Sequence, residues 1–316
     1  MKKRILFTAG GSPGQEAIFH QLSEKYDLYF ADKDTRKICF SIPVDRKISI
    51  PSAEAKDFFS EILRCCLNYN IDLIVPGVDE ELLIILENQD KFSNTKIFLP
   101  SIDFVRLMLD KVDMNKAFDL NGLSVPKSTS LQEVNAGITF PVIMKPVSGR
   151  GSRNVFTVSN LKKLKNMLRA FEDDDIRWVI QEKEIGDEYT VQVLSTPSSD
   201  LLGILPIKVF EKQGSTIFAE MHYDNKIIEY CRKIHRIFKP SGCYNVQLIK
   251  TAEGKLSCFE INPRISTTFC MAIEAGLDPF EYYLDVEKKE LKFPKELTNV
   301  PTILLSRYWY NQFEVK

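Results

Sequence analysis

The sequence predicts a parallel-sheet α/β unit over about the first hundred residues, followed by a longer α+β unit. Three observations carry that expectation. Short apolar runs alternate with helically spaced segments as far as Leu99, the texture changes after Val125-Pro126, and paired strand-like segments dominate from Thr190 onward.

Taken in order, Ile5 to Ala9 is an apolar run that ends in Gly10-Gly11-Ser12-Pro13-Gly14, Glu16 to Leu22 has helical spacing, and Leu28 to Ala31 is a second run closed by Asp32. Helix signals over Ala53 to Asn68, a strand at Leu73 to Val75, a helix from Asp79 to Leu86 and a strand at Lys96 to Leu99 continue the alternation, the pattern of a parallel sheet covered on both faces. A helical stretch from Ile102 to Leu120 breaks at Asn121-Gly122. Pro141 to Lys145 and Val155 to Val158 are strand-like, Leu161 to Phe171 is a basic amphipathic helix, and Trp178 to Gln181 is another strand. No repeat, low-complexity segment or Gly/Ser linker marks a boundary, so the units are placed by texture.

Composition narrows the function classes. With 316 residues, 44% hydrophobic and 27% charged, the chain can bury a large core. Its 42 Lys+Arg against 43 Asp+Glu give a net charge of -1, so no global field holds nucleic acid or an anionic membrane, and any phosphate site must be local. No uncharged apolar stretch approaches the ~20 residues of a membrane span; Ile71 to Leu86 is cut by Asp72, Pro76, Asp79, Glu80 and Glu81. The apolar run after Met-Lys-Lys-Arg is too short for a signal peptide, which makes the cytoplasm the expected location. Seven cysteines without C-x-x-C spacing and three scattered histidines exclude a disulfide scaffold and argue against zinc.

The first loop resembles a dinucleotide fingerprint with Asp32 where a ribose-binding acid would sit, but the middle glycine position holds Ser12. A tight turn opening a helix N-terminus toward an anion is the better reading.

Two later clusters carry more chemistry. A strand delivers Lys145, and Gly149, Gly151 and Ser152 then offer unhindered backbone N–H groups flanked by Arg150 and Arg153, a polyphosphate clamp or a solvated hairpin turn. It is not a Walker loop, because the lysine precedes the glycines. Further on, Asn245 to Ile249 and Ser257 to Arg264 alternate as two strands of a hairpin. With Glu253-Gly254 as its turn, Gln247 faces Glu260 and Asn245 faces Asn262, which puts four oxygen-bearing groups on one face. Hard oxygen donors on rigid strands suit Mg²⁺; they would also suit a plain polar hairpin face.

Lys145 with its Gly-rich loop, Gln181-Glu182 leading to Gly186-Asp187-Glu188, Tyr244 to Gln247, and Glu260 to Ser266 together resemble the ATP-grasp superfamily, nearest to one synthetase unit of carbamoyl phosphate synthetase large subunits. The resemblance implies a pre-ATP-grasp domain over 1–105, an ATP-grasp fold of two α+β subdomains over 106–293 with a lid at about 125–187, and a tail at 294–316. It implies ATP and Mg²⁺ (or Mn²⁺) as cofactors. Lys111 and Lys145 would contact phosphates, Gly149 to Ser152 would close over them, Glu182 would accept from the adenine amino group, and Glu188 would bind the ribose. Gln247, Glu260 and Asn262 would hold the metal, with Asn245 and Arg264 beside the transferred phosphoryl group.

Two features separate this sequence from that synthetase. It carries one such unit, and Thr267 stands where the synthetase has a second arginine. It is more similar to a carboxylate-amine ligase acting on a small-molecule carboxylate and an amine, the alternatives being a carboxyphosphate-forming synthetase or a non-catalytic nucleotide-binding regulator. Lys208, Lys212 and Gly214 could orient an anionic substrate, or belong to a charged exposed strand. The aromatic tail from Leu304, with Tyr308, Trp309, Tyr310 and Phe313, packs as a final strand or builds a homodimer contact, of which packing is favoured.

Overall fold

A computed structural model of the chain describes residues 1–129, 137–149, 151, 153–171, 176–284, 302–308 and 313. Arg150, Ser152, Trp309 and Tyr310 lie outside the described residues.

The first hundred residues form a parallel sheet from β1 (Arg4–Phe7), β2 (Asp27–Asp32), β3 (Lys47–Ser49), β4 (Leu73–Val75) and β5 (Lys96–Ile97), in the order β3-β2-β1-β4-β5. Helices α1 (Gln15–Leu22), α2 (Phe58–Asn68) and α3 (Asp79–Glu87) connect them, as the alternation predicts. β3 has no counterpart in the sequence reading; Ile48 is its one buried residue, so no apolar run marks it. The expected helix over Ile102 to Leu120 is two helices, α4 (Ile102–Leu109) and α5 (Lys111–Leu120). Asp110 divides them: its backbone turns extended, and its carboxylate accepts from the Val112 and Asp113 N–H groups as the cap of α5.

A four-stranded sheet follows, built from β6 (Ser128–Thr129), β7 (Val142–Pro146), β8 (Phe156–Val158) and β9 (Trp178–Glu182), with α6 (Leu161–Ala170) on it. The largest sheet is antiparallel. It comprises β10 (Asp187–Ser195), β11 (Leu201–Gln213), β12 (Ser215–Met221), β13 (Cys243–Lys250), β14 (Leu256–Asn262) and β15 (Leu304–Ser306), in the order β14-β13-β10-β11-β12-β15. The tail therefore does add a strand, pairing Phe218 with Ser306 and Glu220 with Leu304.

Helix α7 (Asn225–Phe238) interrupts the strands and is absent from the sequence reading. Its signal was available: Asp224 caps it, and Ile227, Ile228, Cys231, Ile234 and His235 bury one helical stripe. Short helices α8 (Phe269–Glu274) and α9 (Phe280–Leu284) then return the chain to the parallel sheet. There Phe280 meets Phe7 at 5.7 Å and Phe98 at 5.0 Å, ring edge against ring face. The same apolar cluster takes in Leu205, Ile207 and Met221, so one core joins the parallel sheet to the large antiparallel sheet. The four-stranded sheet has a core of its own around Val142, Met144, Leu164, Trp178 and Ile180. No helix among the described residues is long and apolar enough to cross a membrane.

Candidate active site

A cleft of about 300 Å³ lies between the four-stranded sheet and the large antiparallel sheet. Strand β7 brings Lys145 to it, the start of α5 brings Lys111, and β11 brings Lys212. Across from them, β13 and β14 present Gln247 and Glu260.

The β13–β14 register is the one the sequence predicts at the polar end, Asn245 against Asn262 and Gln247 against Glu260. It arises differently. The turn is a five-residue loop over 251–255 and not the two-residue Glu253-Gly254, which leaves Leu248 opposite Cys258 and the strands one residue out of the expected register. A bulge then restores it, with Phe259 as the extra residue on β14. The bulge has a consequence at the site, since Phe259 turns into the cleft with its ring 5.4 Å from the Lys145 ammonium. Val246, Leu248, Cys258 and Ile261 on the other face are buried in the core.

Lys145 corrects one expectation. A phosphate-facing lysine should be solvated without nucleotide, yet this one is only 6% exposed and its Nζ donates to the Phe259 carbonyl at 3.0 Å. Burial pulls its pKa down from 10.5 to about 8, against the opposing pull of Glu260; Lys111 adds to the lowering. Lys111 is also buried, and its Nζ donates to the Gly149 carbonyl at 3.1 Å and pairs with Glu260 at 3.1 Å. Two cations thus bracket one carboxylate, an arrangement with positive charge to spare for an anion.

The Gly-rich loop sits at the rim. Gly149 (φ 141°) and Gly151 (φ 66°) occupy backbone conformations that side-chain-bearing residues avoid. A Cβ at Gly214, in the β11–β12 turn, would come 3.9 Å from the Gly151 carbonyl oxygen, so the loop reaches across to that turn. Glu182 lines the cleft at the end of β9 and accepts from the Thr139 N–H at 2.7 Å. Glu188 pairs with Lys212 at 2.8 Å, and Lys212 also reaches Gln247 at 3.4 Å.

Five of the sequence-selected residues that the structure describes are not on the cleft lining: Gly151, Asn262, Lys208, Asn245 and Arg264. Lys208 pairs with Asp187 at 2.7 Å away from it, and Lys212, four residues further along β11, takes the position in the cleft. Asn245 is fully buried beneath it: its Oδ1 accepts from Thr190 and Gln192, in a network that continues to Ser266 and Thr268. Arg264 is clamped by Asp79 at 2.6 Å, and its other donors go to the Ile265 carbonyl and, at 3.5 Å, to Asn262. Its carboxylate partner thus comes from the parallel-sheet unit.

Asp79, which holds Arg264, and Glu81 beside it were not singled out from the sequence. Glu81 is 1% exposed; its Oε1 accepts from the N–H groups of Gly77 and Val78 and from the Thr8 hydroxyl. Burial pushes its carboxyl up, and Thr8 and the Arg264 charge oppose that. The available signal was position: Gly77 to Glu81 follow the carboxyl end of a parallel strand, where α/β sheets build sites. Asp32, by contrast, is occupied with its own loop, accepting from the Gly11 and Asp34 N–H groups, so it does not offer a free acid to a ribose.

Among the described residues no cluster of three or more His, Cys, Asp or Glu could hold a metal alone. Glu260 with the Gln247 and Asn262 amide oxygens makes a sparse set of hard donors, which fits a divalent ion that completes its shell with phosphate oxygens and water.

A protein-family profile described as an ATP-grasp domain matches residues 108–268. A carbamoyl-phosphate synthase from Methanobrevibacter smithii is 23% identical over 171 residues, 51% of this chain and 44% of that protein. A D-alanine--D-alanine ligase from Fusobacterium nucleatum is 26% identical over 169 residues, 49% of this chain and 56% of that protein. The chain thus spans about half the length of these curated relatives. Among solved structures, the biotin carboxylase domain of Hydrogenobacter thermophilus 2-oxoglutarate carboxylase, in complex with MgADP, ADP and bicarbonate, superposes with a TM-score of 0.71 at 15% identity, over 92% of this chain and 71% of that one. An L-amino acid ligase from Bacillus licheniformis gives 0.68 at 13% identity, over 93% and 78%. At such identities the likeness is one of fold.

Proposed function

Because the chain belongs to the ATP-grasp family, we propose that it is an ATP- and Mg²⁺-dependent ligase that joins a small carboxylate to an amine. The observation that carries this reading is the bracket of Lys111 and Lys145 about Glu260 at the floor of a cleft rimmed by a glycine loop. Phosphoryl transfer needs positioning and charge neutralisation more than covalent help, and those groups supply both.

In this reading Lys111 and Lys145 hold the phosphates, and Gly149, Gly151 and Ser152 close over them. Glu182 accepts from the adenine amino group, and Glu188 receives the ribose hydroxyls. Mg²⁺ would be held by Gln247, Glu260 and Asn262, where it would neutralise charge on the phosphates. A carboxylate oxygen attacks the γ-phosphorus, the bond to ADP breaks, and an acyl phosphate forms. The amine then attacks the acyl carbon, phosphate departs, and the amine proton is lost to solvent. Arg264, held by Asp79, faces the transferred phosphoryl group from the strand end that carries Asn262. Lys212, and not Lys208, orients the anionic substrate from β11, and Asn245 supports the hairpin from below.

Substrate-dependent ADP release tests the reading. Bicarbonate alone, carboxylate pools alone, and carboxylate plus amine pools form its arms, and release that requires carboxylate and amine together is expected. Release with bicarbonate alone would replace it by a carboxyphosphate-forming enzyme, and none in any arm would leave a nucleotide-binding regulator.

A further inference from the structure

A second cavity, of about 600 Å³, opens beyond the β11–β12 turn: Lys212 lines the nucleotide cleft, and Ser215, past Gly214, lines this cavity. Its walls are the Gly10–Gly14 loop, the segment around Arg36–Phe40, and the segment from Leu305 to Tyr308. Ile38, Phe40, Ile217, Leu305 and Tyr308 make much of the lining apolar.

The charges in it are unequal. Arg36 is held by Asp34 at 2.7 Å, and Glu16 accepts from Ser41 at 2.9 Å. Arg307 is different. Its Nη1 donates to the Thr216 carbonyl and its Nη2 to the Thr267 carbonyl, with Cys270 sulfur at 4.0 Å. Among the described residues no carboxylate pairs with it, while Lys37 on the opposite wall lies within electrostatic reach of Asp34. A half-buried guanidinium whose partners are neutral carbonyls keeps an uncompensated charge, and its remaining N–H groups form a planar fork suited to a carboxylate or phosphate. Burial in fact pulls its pKa below the usual value.

The glycine loop is fitted to this arginine. A Cβ at Gly14 (φ 98°) would lie 2.5 Å from the Thr267 carbonyl oxygen and 3.4 Å from the Arg307 guanidinium. The loop opens α1, whose N-cap supplies no side-chain acceptor to the first-turn N–H groups. The Arg307 guanidinium thus rests, from a distant segment, against the backbone of Thr267 that Gly14 also approaches.

We infer that this second cavity binds a small organic carboxylate with an apolar body, whose charged end is held by Arg307 and Lys37 between the first glycine loop and the final strand. The inference rests on the ligase reading for its choice of carboxylate over phosphate, and names the class of the acceptor substrate.

The test uses the full chain without nucleotide and measures binding of phenylacetate, phenyl phosphate and benzyl alcohol by calorimetry, with thermal shift in parallel. Saturable binding of phenylacetate and none of benzyl alcohol is expected. Arg307→Gln should weaken it by on the order of tenfold, the scale of losing a charge-assisted pair, and leave MgATP binding unchanged. Arg307 also ties the final strand to Thr216, so Lys37→Ala and Ser306→Trp, at exposed positions, carry the test if that variant fails to fold; both should weaken phenylacetate. Preference for phenyl phosphate would overturn the carboxylate assignment, and binding of neither anion, or binding indifferent to all three substitutions, would overturn the site. Binding without ADP release in any carboxylate-plus-amine arm would leave the site standing and sink the ligase reading instead.

Discussion

Lys145→Met should stabilise the nucleotide-free protein at neutral pH while weakening its hold on ATP. Burial lowers the Lys145 pKa from 10.5 to about 8, with Glu260 opposing and Lys111 adding to the drop. At 1.36 kcal/mol per unit, carrying the charged amine in the fold below pH 8 costs about 3 kcal/mol. Methionine removes that cost and forfeits the bond to the Phe259 carbonyl, about 1 kcal/mol, for a net gain of about 2 kcal/mol at pH 7. Between pH 8 and 10.5 the unfolded chain holds the proton that the fold has released, so wild-type stability rises with pH across that window relative to the variant, and the gap closes by pH 10. Urea unfolding of both proteins at pH 7 and pH 10 measures this. Phosphates that restore the charge should draw a proton onto Lys145, so calorimetry at pH 8.5 in buffers of different ionisation enthalpy should report proton uptake on MgATP binding. A variant destabilised equally at both pH values, or nucleotide binding without proton uptake, would refute the assignment of a buried, phosphate-facing amine.

Other perturbations separate the parts of the site. Arg264→Lys should keep MgATP affinity and lower kcat on the order of a hundredfold, the scale of losing one preorganised donor. Asp79→Asn should move kcat in the same direction by releasing the guanidinium; melting temperatures taken on the same preparations would expose a merely structural role. Glu260→Gln should abolish most of the extra thermal stabilisation that Mg²⁺ adds to ATP, and a magnesium effect that survives would remove Glu260 from the metal set. Gly11→Val, whose Cβ would meet the Lys37 Cβ at 2.7 Å, should impair turnover at saturating ATP with nucleotide binding intact, as read from KM and kcat together. Loss of ATP binding there would reverse the roles of the two units.

Local periodicity made most of the parallel sheet legible, since each of its longer strands is a short buried run between helical segments. What failed was punctuation: Asp110 reads as a helix residue until its side chain is seen capping α5, and the strand-rich context hid the amphipathic stripe of α7. The hairpin shows how a register can be right through compensating local errors, a longer turn and a bulge at Phe259. Gln247 and Glu260 could be paired because side chains on adjacent strands obey a period of two. Asp79, Glu81 and Arg307 could not be placed by spacing, because their contacts are made between segments far apart in the chain. The burial of Lys145 was likewise invisible, because it is set by Phe259 and Lys111 from other elements.

The central claim is that a carboxylate is activated as its acyl phosphate in the cleft of Lys111, Lys145 and Glu260. Isotope transfer tests it most directly: the carboxylate that supports turnover is supplied with ¹⁸O in both oxygens, and the released phosphate is analysed by mass. One ¹⁸O per phosphate is predicted, because the attacking carboxylate oxygen stays with phosphorus when the amine displaces it. Phosphate free of label, formed at the same rate as the ligated product, would contradict the account.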